Sequence, residues 1–213
     1  MKTRSKALLL TLCAVLLVAA TIFGTMAYLT SQDTVTNTFT VGKVAIKLDE
    51  AQANPDGTLV EGADRVKANS YKLLPGHTYN KDPMVTVLSG SESSYVKMTV
   101  TFSKANELDA IFAPDGANLT SIFNGYDATK WTYKGNTKDA TANTRTYEFW
   151  YKEAVGAPDG DVALDALFKS ITVPGEITNE QLATIEGMTI TVNAYAIQAD
   201  GFADADAAWA AFK

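Results

Sequence analysis

Residues 188–197 read Met188-Thr-Ile-Thr-Val-Asn-Ala-Tyr-Ala-Ile197, which is the most strongly alternating stretch of the chain. Apolar and polar side chains that alternate with a period of two are typical of a β-strand with one buried face. The same pattern occurs in residues 95–102, where the even-numbered side chains from Val96 to Phe102 are predicted to face inward. These two segments favour an all-β fold.

The remaining segments complete this fold class. Residues 82–88 are predicted to form a hairpin with residues 95–102, and residues 49–70 are predicted to form a long loop. Helices are predicted at 203–212 and after Thr178, which begins a capping-box sequence. Seven to nine strands with two short helices indicate a jelly-roll-like two-sheet β-sandwich. The other predicted strands lie at 38–48, 130–134, 144–153, 167–173 and 188–198.

The first 27 residues have the layout of a secretory signal peptide. Lys2, Arg4 and Lys6 precede an apolar run, and small residues lead to a predicted cleavage between Ala27 and Tyr28. An uncleaved membrane anchor is the alternative, and it would be the only membrane association expected. The predicted organisation is therefore a signal peptide over 1–27, an N-terminal strand segment over 28–43 and a single β-sandwich domain over 44–213.

Charge and cysteine content restrict the partners of the mature chain. The whole chain has 18 basic and 24 acidic residues, and loss of three basic residues with the signal leaves a net charge of −9. Such a surface disfavours nucleic acid and anionic lipid as partners. The only cysteine, Cys13, lies in the signal, so the mature domain is predicted to rely on core burial and not on disulfides.

Catalytic chemistry has little support in the sequence. His77 is the only histidine, so a His-Glu-x-x-His zinc site is impossible, and there is no Gly-x-Ser-x-Gly motif. Acidic residues cluster at 159–165 and at 204–206, but neither cluster matches a complete calcium-binding loop. We expect no enzyme activity, metal or cofactor. A metallopeptidase is kept as a remote alternative.

An aromatic run, Tyr147-Glu-Phe-Trp-Tyr151, raises the alternative of a monomeric adhesion or glycan-binding module. In a strand, the first, third and fifth of these residues share one face and Trp150 takes the other. One face must belong to the core. An exposed aromatic face here would favour the glycan-binding alternative.

Residues 34–42 read Thr34-Val-Thr-Asn-Thr-Phe-Thr-Val-Gly42 and carry no charge. Natural edge strands are usually protected by charge or proline, and this segment has neither. Such a strand near a chain end can join the sheet of a neighbouring molecule, and repeated head-to-tail contacts produce filaments. Pairing within its own sandwich is the equally weighted alternative. The residues predicted to mediate self-assembly are Val35, Asn37, Phe39 and Val41.

The sequence also resembles a known family. The segments 24–30, 35–42 and 44–48, the stretch Leu74-Pro-Gly-His-Thr-Tyr-Asn-Lys-Asp-Pro83 and the C-terminal 194–202 with Trp209 are similar to the TasA/camelysin family of Gram-positive bacteria. The resemblance implies jelly-roll subunits of extracellular biofilm fibres, joined by donation of the N-terminal strand to the next subunit. It also implies processing by a SipW-type signal peptidase and an accessory or anchoring matrix protein. Residues 28–41 would then be the donor, and the protein would be secreted to the matrix or cell surface.

Overall fold

A computed structural model describes residues 3–26, 41–112 and 123–212. The chain divides into two compact units, Met1–Val41 and Gly42–Lys213. The first contains helix α1 (Thr3–Met26), whose described side chains include exposed leucines such as Leu8 and Leu10. Within the described residues, no helix combines the length and the apolar character that crossing a membrane requires.

The second unit is mostly β-sheet with a few short helices. Its helices are α2 (Ala105–Phe112), α3 (Asn179–Thr184) and α4 (Ala205–Ala211). Its strands are β1 (Ile46–Asp49), β2 (Thr78–Asn80), β3 (Met84–Val87), β4 (Ser91–Ser103), β5 (Trp131–Asp139), β6 (Thr144–Tyr151), β7 (Val155–Ala157), β8 (Val162–Ala163), β9 (Ser170–Thr172) and β10 (Ile190–Gln198).

The strands form three sheets, none of which is closed. The larger sheet has the order β10-β4-β6-β5, with β7 paired to the start of β4. A second sheet has the order β1-β3-β8, and β2 pairs with β9 in a small third sheet. The pairings within these sheets are antiparallel. This arrangement is consistent with the predicted all-β, sandwich-like fold class.

The core lies where the two main sheets face each other. Val85 and Val87 of β3 pack in one cluster with the even-numbered residues of β4, from Val96 to Phe102, which are buried as predicted. Phe149 of β6 lies in the same cluster. Its ring, like that of Tyr147, makes an edge contact with Phe123. Alternation along β4 and β6 therefore places one face of each strand in the core.

The predicted hairpin between 82–88 and 95–102 is wrong. β3 pairs with β1 and β8, whereas β4 pairs with β10, β6 and β7, so the two strands belong to different sheets. Between them the chain turns at Gly90, which has φ of 75° and donates its N–H to Ala157 O at 2.7 Å. A residue with positive φ suits a sharp change of direction, and this one carries the chain from one sheet to the other.

The predicted strand over 38–48 is also not continuous in its described part. Val41 and Gly42 are outside any strand, Lys43 makes a single bridge to Ser91, and β1 begins only at Ile46. In the sequence, apolar residues change from odd-numbered (Phe39, Val41) to even-numbered (Val44, Ile46, Leu48) at Gly42, which is the first residue of the second unit.

Both predicted short helices are present. Thr178 caps α3 through a complete capping box with Gln181, and the Asp204 side chain caps α4. Helix α2 was not predicted, although Ala105, Leu108 and Ile111 have helical spacing.

Candidate functional site

The residues predicted for cleavage and self-assembly lie mostly outside the described part of the chain. Ala27, Tyr28, Val35, Asn37 and Phe39 all fall in the segment 27–40. Val41 is described, and its side chain is 97% exposed. The junction at which this segment meets the domain can therefore be examined, and so can the edges of the domain itself.

At that junction the chain runs beside the start of β4. Lys43 and Ser91 form a parallel bridge, and the Glu92 N–H donates to Lys43 O at 2.9 Å. The Ser91 hydroxyl Oγ accepts a hydrogen bond from the Ala45 N–H at 3.1 Å. Gly42 lies so close to Glu92 that an added Cβ would sit 2.8 Å from Glu92 Cγ. Residues 42–45 therefore have a defined course and run in the same direction as β4.

Strand β10 forms one edge of the larger sheet and carries no charged residue. It is paired with β4 along its whole length of nine residues. The Ser103 N–H donates to Thr189 O at 3.0 Å, and the Ala199 N–H donates to Ser93 O at 2.8 Å. Because backbone groups alternate in direction along an antiparallel strand, the odd-numbered residues of β10 face β4. The N–H and C=O groups of its even-numbered residues face the open edge.

The even-numbered side chains of β10 point toward the core but are only partly buried. Ile190, Val192, Ala194 and Ala196 pack against the main core cluster and remain half-buried, as do Ile46 and Leu48 of β1 in the facing sheet. Strands β1 and β10 are in contact. We call this apolar line, formed by Ile46, Leu48 and the four β10 residues, the β10–β1 seam.

The opposite edge of the same sheet, β5, is protected. A register shift between Tyr133 and Gly135 interrupts its pairing with β6. Lys134 Nζ lies 3.2 Å from Asp206 Oδ1 and 3.8 Å from the centre of the Trp150 ring, and Lys138 Nζ lies 2.9 Å from Asp109 Oδ2. Bulges and lysines are the devices that keep edge strands from pairing with other chains. The two edges of this sheet therefore differ in their capacity for further pairing.

The candidates for catalysis and metal binding do not converge. His77 is exposed in the turn before β2, and its ring centre lies 6.4 Å from that of Tyr79. Asp161 accepts the Ser89 N–H at 2.8 Å, whereas Asp165 accepts the Tyr151 hydroxyl at 3.1 Å. Burial, together with this contact to Asp165, raises the pKa of Tyr151 to about 12. The described residues contain no group of three or more His, Cys, Asp or Glu placed to hold a metal ion.

The aromatic run at 147–151 serves mainly the core. Tyr147, Phe149 and Tyr151 are buried. Trp150 lies on the outer face, where its ring centre is 6.0 Å from that of Trp209 in α4, and its Nε1–H donates to Glu148. The exposed aromatic face that would favour glycan binding is thus reduced to one half-buried tryptophan.

A cavity of about 970 Å³ lies among α2, α3 and the β2–β9 sheet, and the sequence did not indicate it. Its walls are largely apolar and include Leu108, Leu182 and Met188. Arg145 lines it too, paired with Asp109 by two hydrogen bonds of 2.8 and 2.6 Å. The i, i+3 spacing in α2 was the one sequence signal that could have located this region.

The geometry defines a mostly β domain in which β10 is an unprotected edge of the larger sheet and the N-terminal junction is exposed. No family model, no curated protein and no solved structure matches the chain.

Proposed function

We propose that this protein is a secreted structural subunit of extracellular fibres. Residues 1–27 act as an export signal, and the segment 28–41 of each subunit adds a strand to the jelly-roll sandwich of the next. A SipW-type signal peptidase performs the processing, and an accessory matrix protein anchors the fibre. The proposal rests on the composition of the N-terminal region together with the geometry of the junction.

The single observation that carries the proposal is the exposure of Val41, at 97%, directly after an uncharged strand-forming sequence. A β-branched residue in such a sequence gains stability when it packs against neighbours in a sheet. The domain begins one residue later, at Gly42, with a defined course beside β4. A segment with strong strand propensity is therefore attached to a folded domain at a solvent-exposed point.

The signal region supports processing as the event that permits assembly. A basic start followed by an apolar run in α1 is the layout of a segment that is recognised by an export apparatus. Before cleavage this segment occupies the N-terminal side of the strand. After cleavage between Ala27 and Tyr28, residues 28–41 have a free end that can pair.

Electron microscopy of three purified forms tests the proposal. A chain that begins at Tyr28 should form filaments, whereas a chain that begins at Gly42 should stay monomeric, because it lacks the strand but retains the domain. The full-length chain should assemble much less well than the form that begins at Tyr28. Filaments from the chain that begins at Gly42 would refute strand donation. Equal assembly of the uncleaved chain would remove the role of processing.

A further inference from the structure

We propose that the acceptor of the donated strand is the free edge of β10, and that residues 34–41 of a second copy pair along it, beside the β10–β1 seam. This inference rests on the proposed function and assigns the partner surface that the function requires. It predicts that the larger sheet gains one strand, giving the order donor-β10-β4-β6-β5 across two molecules.

Backbone hydrogen bonding supports this edge. The even-numbered residues of β10 direct their N–H and C=O groups away from β4, and among the described residues no strand pairs with that side. The uncharged donor stretch 34–41 has eight residues, close to the nine of β10. Main-chain hydrogen bonds supply the affinity when an extended segment adds to a sheet edge. An uncharged edge facing an uncharged segment has no like-charge repulsion to overcome.

Side-chain chemistry supports the same pairing. In an extended segment 34–41, Val35, Asn37, Phe39 and Val41 share one face, which is apolar except for Asn37, and the threonines share the other. The apolar face can cover the half-buried side chains of the seam. Along β10 these side chains become smaller, from Ile190 and Val192 to Ala194 and Ala196. Burial of apolar surface at about 25 cal/mol per Å² would add to the hydrogen bonds.

The course of the chain at the junction favours a second copy over self-pairing. Because the bridge between Lys43 and Ser91 is parallel, tracing the chain backward from Lys43 leads past the start of β4 and away from its body. Strand β10 lies beside Ser94 to Phe102 of β4. Pairing of residues 34–41 with β10 of the same molecule would need the chain to reverse its direction before Lys43. A neighbouring molecule needs no such reversal.

A proline on the acceptor edge tests the assignment. Ala194→Pro removes one N–H that faces the open edge and leaves the ladder to β4 intact, because residue 194 is even-numbered. Ala194→Val is the matched control, since it keeps the N–H with a side chain of similar size. In chains that begin at Tyr28, we expect Ala194→Pro to raise the concentration needed for filaments by about tenfold or more. Ala194→Val should assemble like the wild type.

A mixture of two variants distinguishes a wrong acceptor edge from a wrong proposed function. The Ala194→Pro chain keeps its donor, and the chain that begins at Gly42 keeps its acceptor, so an equimolar mixture should give heterodimers and no filaments. If the wild type that begins at Tyr28 forms no filaments, the proposed function fails. If the wild type assembles and Ala194→Pro assembles equally well, only the β10 acceptor is overturned.

Cross-linking supplies a readout that does not depend on the proline variant folding. Cys13 is the only cysteine in the sequence and is absent from a chain that begins at Tyr28, so single cysteines can be introduced cleanly. Thr38→Cys with Asn193→Cys on the exposed face of β10 should give an intermolecular ladder with a short bis-maleimide. Thr38→Cys with Thr132→Cys on β5 is the matched control and should not. A stronger ladder from the β5 pair would overturn the assignment, and cross-links confined to monomers would indicate self-pairing and overturn it too.

Discussion

Arg65 organises the long loop that follows β1. Its Nε donates to Asp49 Oδ1 at 2.6 Å and one terminal nitrogen donates to Asp82 Oδ2 at 2.9 Å, while the other donates to the carbonyl oxygens of both residues. The Asp49 side chain is only 3% exposed. A planar guanidinium can make all four contacts at once, which a lysine cannot. One side chain therefore joins the end of β1 to the segment between β2 and β3.

Replacing this residue should destabilise the domain. Arg65→Ala leaves a buried carboxylate with one remaining cation, Lys47, and two carbonyls without their donor. We expect a loss of about 2–3 kcal/mol in the free energy of unfolding, measured by urea denaturation. Lys72→Ala, an exposed cation of the same loop, is the control and should change stability by less than about 0.5 kcal/mol. Equal effects of the two substitutions would contradict the role given to Arg65.

The same contact predicts a pH dependence. Burial alone would raise the pKa of Asp49, but hydrogen bonds from Lys47 and Arg65 outweigh it and hold the pKa below its ordinary value. A lowered pKa in the folded state contributes stability above about pH 4, and this stability is lost as the pH falls through the folded value. The free energy of unfolding of the wild type should therefore decrease below about pH 4. In Asp49→Asn this decrease should be smaller. If the free energy of unfolding of the variant decreases below about pH 4 as much as that of the wild type, Asp49 is not the group responsible.

At the scale of the elements, local patterns predicted which faces are buried but not which strands are neighbours. The buried face of β4, Val96 to Phe102, follows from alternation alone, because burial of a strand face depends on its own sequence. On β6 alternation separated the two faces of 147–151 but left open which of them is buried. The wrongly predicted hairpin between 82–88 and 95–102 shows that alternation does not identify the partner of a strand. Both strands have the right pattern, yet Leu88 donates its N–H to Ala45 O in one sheet while Ser91 pairs in the other. Only long-range contacts decide this topology.

Helix α4 packs against the outer face of the larger sheet through Trp209. Its indole is 7% exposed, and its ring lies 4.7 Å from Lys97 Nζ. Lys97 on β4 was predicted to face outward, and it does so beneath this helix. A cation over an aromatic ring is stabilising, more so when shielded from water.

We expect Trp209→Ala to destabilise the domain by about 3 kcal/mol, because a large buried side chain is lost. Phe212→Ala removes a neighbouring ring that is 37% exposed and should cost clearly less. Thermal denaturation followed by far-UV circular dichroism compares the two variants. A larger loss from Phe212→Ala would mean that Trp209 does not anchor the helix.

At the scale of the whole molecule, the sequence indicated the proposed donor segment but not the proposed acceptor edge. The segment 34–42 is conspicuous because it lacks charge. The segment 188–197 has a similar pattern, but its position at an edge depends on the strand order β10-β4-β6-β5. A strand of the same sequence that lay between two other strands would have no unpaired backbone N–H and C=O groups. The proposed acceptor edge can therefore be identified only once the strand order of the larger sheet is known.

The charge of the whole molecule predicts how assembly responds to salt. A chain that begins at Tyr28 has a net charge of −9, whereas residues 34–41 and β10 carry none, so subunits repel one another over a proposed contact that is itself neutral. The screening length falls from about 30 Å at 0.01 M salt to about 8 Å at 0.15 M, which weakens this repulsion. Added sodium chloride should therefore accelerate filament growth of the chain that begins at Tyr28, as followed by light scattering. A contact built on complementary charges would show the opposite dependence, so slower growth at higher salt would contradict docking of the uncharged segment on β10.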